Sequence, residues 1–484
     1  MSINNTIIAI SAIVLLNGCG GGKVEWISST FEKPWQSMDV AAFSKGPSEE
    51  VVVIDPKATL QTMDAFGTAA SELSWDALSV LPEEEREGIF RELFAPDGGM
   101  RLTKVRTPMG ASDFAKEFYS YDEAAGDLDL VHFSVERDQQ YLLPFLHAAQ
   151  AVNPDLAFWA SPWCPPSWMK VNGHYASAST APMIRRMAAF SGMRSRPMVD
   201  NGLDEDKQTP EGTDAFILQP EYLKAYAAYF GKYVDAYKEN GVDISMVMPQ
   251  NEPNSNQIYP SCVWTPDGLK QFIAVLGPEM EKRGIEVWLG TMERADVGLW
   301  NQIVADPEAG KWIKGLGFQW AGKEALPGMH AAFPDLPCYM TEQECGNGAN
   351  DWQGAMHSWD LMREYIQNGC EGFFYWNTAL CKGEASTWGW RQNSLILVDR
   401  QAADWSYTPE FYVLRHASHF VEPGARVLAL SGSYADALAF VNPDGRIVVL
   451  AANQTDQSKD VTFRVGRKDH TAQLPAQSLN TLLF

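Results

Sequence analysis

Between about residue 60 and residue 410 of this 484-residue chain, eight short apolar runs alternate with helical stretches. The runs are Asp64–Gly67, Leu102–Thr107, Ala157–Ser161, Ile244–Pro249, Glu286–Gly290, Gly315–Gln319, Pro337–Thr341 and Gly372–Trp376. They are too short for helices, and strands this apolar are buried on both faces. The stretches between them have a different period. In Glu221–Asn240, Leu223, Tyr226, Phe230, Tyr233 and Tyr237 recur at every third or fourth position, and Gly241 ends the pattern. Glu72–Leu78 and Pro82–Phe94 also read as helical. Parallel strands need such crossovers. Eight units of this kind predict an α/β fold, a (β/α)8 TIM barrel spanning residues 64–412.

The flanks follow other rules. From Val421 the chain changes to short alternating strands at Arg426–Leu430, Ala437–Val441, Ile447–Ala452, Asp460–Val465 and Thr481–Phe484, with a hairpin turn at Asn442-Pro-Asp-Gly445. This predicts an attached all-β sandwich over 413–484, completed by an N-terminal strand, Val51–Asp55, within 49–63. Residues 19–48 read as a linker. Ile7–Leu16 is apolar but too short to span a bilayer, and Leu16-Asn-Gly-Cys19 precedes three glycines. Residues 1–18 therefore resemble a bacterial lipoprotein signal, cleaved before Cys19, with a lipid on that cysteine as the membrane contact. An ordinary secretory signal is the alternative. Either way the expectation is an exported protein; the lipoprotein reading anchors it at the bacterial cell envelope. One stretch breaks the barrel rhythm. Ser177–Asp214 is polar and long, and is expected to overhang the barrel mouth.

The net charge is −23. A surface of that sign repels nucleic acid, anionic membrane and acidic polymers, so a neutral partner is expected. Seventeen tryptophans serve either core packing or stacking on the C–H face of a sugar. The six cysteines beyond Cys19 fit no zinc spacing and read as buried thiols or unassigned disulfides. No GxGxxG, P-loop or HExxH pattern occurs, and the histidines lack metal-ligand spacing. No cofactor or metal is expected. What stands out is Met246-Val-Met-Pro-Gln-Asn-Glu-Pro-Asn254 and, ninety residues on, Cys338-Tyr-Met-Thr-Glu-Gln-Glu344. Each places a glutamate just after an apolar run with no basic neighbour. At roughly 31 residues per unit, the two fall on strands four and seven, at the end of the barrel where catalytic groups sit. Two such carboxyls suggest a glycosidase pair.

Motifs over almost the whole chain resemble glycoside hydrolase family 30, which includes glucosylceramidases, endo-β-1,6-glucanases and xylanases. They are Gln61-Thr-Met-Asp-Ala-Phe-Gly67, Arg106-Thr-Pro-Met-Gly-Ala-Ser-Asp-Phe114, Tyr119-Ser-Tyr-Asp122, Ala160-Ser-Pro-Trp-Cys-Pro-Pro-Ser-Trp-Met-Lys170, Gln250-Asn-Glu-Pro253, Thr341-Glu342, Tyr375-Trp-Asn377 and His416-Ala-Ser-His-Phe-Val-Glu-Pro-Gly-Ala425. The resemblance implies a retaining mechanism with Glu252 as acid/base and Glu342 as nucleophile. It implies Asn251 on the sugar 2-hydroxyl, Arg106 beside the nucleophile and Asp113 on sugar hydroxyls. Trp163 and Trp376 would line the glycone site, and Trp390 the aglycone side. Gln319-Trp320-Ala321 departs from the family's His-Trp-Tyr; Trp320 remains a candidate contact. Glu344 faces the same side of a strand as Glu342 by period, so periodicity leaves it a rival. The expected substrate is a neutral glucan, β-1,6-linked first. A glucosylceramidase or exo-β-glycosidase, and a non-catalytic glycan-binding lipoprotein, are the alternatives.

Overall fold

The computed structural model describes residues 24–39, 46–189 and 199–484. The signal expected over residues 1–18 and the lipid site at Cys19 lie outside these residues. All eight runs form strands: Ala65–Ala69, Lys104–Met109, Ala157–Pro162, Ile244–Val247, Glu286–Met292, Ile313–Gln319, Cys338–Glu342 and Cys370–Asn377, called here strands one to eight. Each pairs in parallel with the next. The eighth pairs with the first, Gly372 beside Ala65, and closes the barrel. Two strand ends differ from expectation. Strand two begins at Lys104 because the Leu102 amide donates to the Leu93 carbonyl of the preceding helix. Strand four stops at Val247, before Pro249, which has no N–H for the ladder.

Trp159, Met246, Met248, Trp288, Tyr339 and Phe374 form the core inside the barrel. They fit because neighbouring strands carry glycines. A Cβ on Gly315 would sit 2.4 Å from the Trp288 ring, and one on Gly317 2.6 Å from Met248. Helices ring the outside. Pro220–Glu239 buries the Tyr226, Phe230, Tyr233 and Tyr237 face that its period foretold.

The second domain is one continuous run of nine strands folded over its own core of Trp26, Val52, Ile54, Leu428, Val449, Phe463 and Leu482. The segment expected as a linker holds two of these strands, Glu25–Ser29 and Gln36–Ser37; the first pairs with Ser478–Leu483. Lys468–Leu474 is a further strand not foreseen, being mostly polar. The expected boundary at 412 falls inside the helix Pro409–Ser418, which Thr408 caps.

Ile447–Asn453 is buried along its whole length, and strand geometry explains why. Val449 and Ala451 point into the sandwich core, while Val448, Leu450 and Ala452 point to the other face and join the barrel's hydrophobic core. His416, on the last helix, pins this junction. It is fully buried and its two ring nitrogens reach Thr481 Oγ1 and Ser29 Oγ, each at 2.8 Å. Burial pushes its pKa down to about 3, so the ring is neutral.

Candidate active site

Glu342 is the last residue of strand seven. The register with strand six slips between Met340 and Glu342, a bulge of the kind that re-aims a side chain. Glu252 lies beyond strand four, in a turn that still bonds to both neighbouring strands. The Asn251 amide donates to the Pro162 carbonyl at 2.7 Å, the Thr291 amide to the Gln250 carbonyl at 2.7 Å, and the Glu252 amide to Thr291 Oγ1 at 3.1 Å. Glu252 has φ +49°, in the left-handed region where a non-glycine residue carries strain. The flanking bonds hold it there.

Arg106, from strand two, ties the mouth together. Its guanidinium donates to Glu342 Oε2 at 2.8 Å, Asn251 Oδ1 at 2.7 Å, Ser161 Oγ at 3.0 Å and the Thr341 carbonyl at 3.2 Å. It has no solvent exposure. It lies 4.6 Å from the Trp163 ring and 5.2 Å from those of Trp159 and Trp376. Gln319 completes the set. The Thr341 hydroxyl donates to its amide oxygen at 2.9 Å, which turns its Nε2 toward the carboxyls. That nitrogen is 3.1 Å from Glu252 Oε1 and 3.4 Å from Glu342 Oε2. One amide thus reaches both glutamates.

Burial raises both carboxyls, and their partners differ. Burial pushes Glu342 up to about 7 against the pull of Arg106, with Glu252 adding repulsion. Burial also raises Glu252, opposed by hydrogen bonds from Gln319 and from the Tyr259 hydroxyl, which is 3.2 Å from Oε2. Of the two, only Glu342 has a cation in direct contact among the described residues, Arg106. Asp113, on the loop after strand two, is driven well above the usual carboxylate range by burial and by the charges of Glu342 and Glu252. Its Oδ1 has no partner among the described residues.

Asp113, Glu252 and Glu342 line a cavity of about 400 Å³. Trp320 and Trp390 also line it and are 37% and 39% exposed, so two indoles stand at its rim. Ala321, where the family pattern has Tyr, also lines it. Trp163 and Trp376 sit deeper than expected. They stack on each other at 5.1 Å, are each 1% exposed, and support Arg106 instead of lining the cavity. Glu344 is engaged elsewhere. Lys323 Nζ holds it at 2.7 Å and His357 Nε2 at 3.2 Å, and the His357 bond, with Lys323, keeps its pKa low. It does not line the cavity.

Sequence reasoning missed Tyr259, Gln319 and Thr291 as parts of this network. It also missed Glu293, a cavity-lining carboxyl just after strand five. The long stretch after strand three reaches the cavity wall through Glu211, which pairs with Arg294 at 2.8 Å. Its described parts back the loop that carries Tyr259: Ser177 bonds the Gln257 carbonyl, and Asn201 Nδ2 donates to the Ile258 carbonyl at 2.9 Å. Residues 190–198 of that stretch are not among those described. The six cysteines beyond Cys19 are all free and buried.

Splitting a glycosidic bond takes two carboxyls that flank it, and this barrel mouth presents two, Glu252 and Glu342, beneath indole walls. By fold and site the molecule is a glycoside hydrolase. The chain belongs to glycosyl hydrolase family 30: the family's TIM-barrel domain matches residues 63–181 and 206–421, and its β-sandwich domain residues 424–482. The unmatched residues 182–205 fall in the long stretch after strand three. The chain is 26% identical to the endo-1,6-β-D-glucanase neg1 of Aspergillus fumigatus, over 87% of this chain and 84% of that one. It is also 26% identical to the lysosomal acid glucosylceramidase of Mus musculus, over 90% and 83%. Among solved structures, the endo-β1,6-glucanase BT3312 superposes with a TM-score of 0.76 at 22% identity, covering 96% of this chain and 99% of that one.

Proposed function

We propose that this enzyme is a retaining β-glycosidase acting on β-1,6-glucan or related neutral β-glucosides. The observation that carries the mechanism is the shared Gln319 amide. Groups bridged by one nitrogen are closely spaced, which suits the roughly 5–5.5 Å of retaining pairs better than the roughly 6.5–9.5 Å of inverting ones. In the first step Glu342 attacks the anomeric carbon. Glu252 gives its proton to the glycosidic oxygen, and the leaving group departs as the alcohol. In the second, Glu252 takes a proton from water. The water oxygen attacks the same carbon and frees Glu342. Asn251 Oδ1 accepts from Arg106, Thr291 and Gln319, which leaves its amide N–H groups for the oxygen of the 2-hydroxyl.

The neutral substrate is supported by the net charge of −23 and by the carboxyl-rich cavity. The β-1,6 linkage is supported by the similarity to glucanases of that specificity. The leader and Cys19 support export to the bacterial envelope with a lipid anchor. Product analysis on β-1,6-, β-1,3- and β-1,4-glucans and a glucosyl lipid tests specificity. NMR of the first-released anomer tests the mechanism: the β-anomer is expected, and the α-anomer would mean inversion. Binding of glucan with no reducing sugar released would favour the non-catalytic reading.

Arg106→Met tests the charge assignment. Attack requires ionised Glu342, so the rate rises with pH through that ionisation. Removing the cation removes what favours the charged form, and the acid limb of kcat/KM is expected to move up by about one unit or more. An unchanged limb would separate Arg106 from the nucleophile. Because the pair is buried, a stability loss of about 3–5 kcal/mol in denaturant unfolding is also expected.

A further inference from the structure

The proposed mechanism gives the cavity a direction. An acid must sit beside the oxygen that leaves, so the departing group lies on the Glu252 side. Two loops build that side. The loop after strand four brings Ser255 and Gln257, and the loop after strand five brings Glu293 and Arg294. All four side chains are polar. No Leu, Ile, Val, Met or Phe lines the cavity among the described residues.

Glu293 is the unexplained member. It is 1% exposed and lines the cavity. One oxygen is occupied: Oε1 accepts from the Asn254 amide at 2.8 Å and the Ser255 hydroxyl at 3.0 Å. The other, Oε2, is buried with no partner among the described residues. A buried polar atom left unmatched costs about 1–3 kcal/mol. Arg294 does not relieve it. Its nearest approach to Glu293 is 4.0 Å, to Oε1, and its Nη2 is committed to Glu211 at 2.8 Å and to the Asn254 carbonyl at 3.1 Å.

We propose that Ser255, Gln257, Glu293 and Arg294 form a leaving-group subsite for a saccharide, in which Glu293 Oε2 bonds a hydroxyl of the departing sugar. The inference rests on the retaining reading above and narrows it. The group released is a sugar and not a lipid, because a ceramide chain finds no aliphatic wall here and would strand the Glu293 oxygen. Burial, with Glu252 nearby, pushes Glu293 up to about 8. At neutral pH it is therefore a carboxylic acid that donates as well as accepts, and it adds no charge beside the proton on Glu252.

The experiment compares Glu293→Leu and Glu293→Gln with the wild type on three substrates: a β-1,6-linked glucotriose, 4-nitrophenyl β-glucoside and glucosylceramide in detergent. For Glu293→Leu, kcat/KM is expected to fall about tenfold further on the trisaccharide than on the aryl glucoside, whose leaving group has no hydroxyl for Glu293 to bond. Glu293→Gln keeps a donor of the same shape and should recover most of that difference. Equal losses on both substrates would overturn the subsite and make Glu293 a structural or electrostatic neighbour of Glu252. A Gln variant as selective as the Leu variant would do the same. Wild-type cleavage of glucosylceramide but not of the trisaccharide would overturn the saccharide assignment while leaving the retaining glycosidase intact. Wild-type turnover of none of the three would remove the parent reading as well.

Discussion

Glu342→Gln is expected to lower kcat by on the order of 10⁵-fold or more on every substrate, with binding retained. The amide has the shape of the carboxylate and keeps the contact with Gln319, but it has no charge with which to form the glycosyl ester. Losing a nucleophile removes the covalent route altogether, and such losses rank among the largest in enzyme kinetics. Calorimetric titration of a gluco-oligosaccharide should still show binding. The matched control is Glu344→Gln, two residues along. Glu344 pairs with Lys323 and His357 away from the cavity, so activity should stay within about threefold, as expected where partly exposed pairs contribute little. Comparable loss in both variants would reassign the nucleophile.

Glu252→Ala should separate the two chemical steps. On glucan, whose leaving alcohol needs a proton, kcat/KM is expected to fall by roughly 10²–10⁴. On an aryl glucoside with an acidic phenol the first step needs no acid. It should persist, and the glycosyl-enzyme should accumulate because no base activates water. Intact-protein mass spectrometry would show the added sugar. Azide, a nucleophile that needs no base, should restore turnover. Equal losses on natural and activated substrates would argue against the acid role.

The barrel was legible because its strands are buried on both faces and so read as unbroken apolar runs. The glutamates after strands four and seven were legible as charges at the ends of those runs. The same signal marks Glu293 after Val287–Met292, but the basic neighbour Arg294 disguised it. Only the structure shows that this arginine is occupied by Glu211 and the Asn254 carbonyl. Tyr259 and Gln319 carry no local mark, since their roles arise where separate loops meet in space. Glu25–Ser29 was passed over because a strand of five residues with one large buried side chain, Trp26, looks like polar linker until its partner is known. The expectation that Trp163 and Trp376 line the glycone site followed the resemblance. Packing beneath a buried guanidinium was not visible from composition.

That partner has a consequence for how the molecule is made. Glu25–Ser29 pairs with Ser478–Leu483, and Glu50–Thr62 lies between strands from the other end of the sequence. Glu25–Ser29 cannot take its place until Ser478–Leu483 is available to pair with it. Closing loops of that length is entropically slow. The β domain is therefore expected to close slowly, as a clasp of strands far apart in sequence.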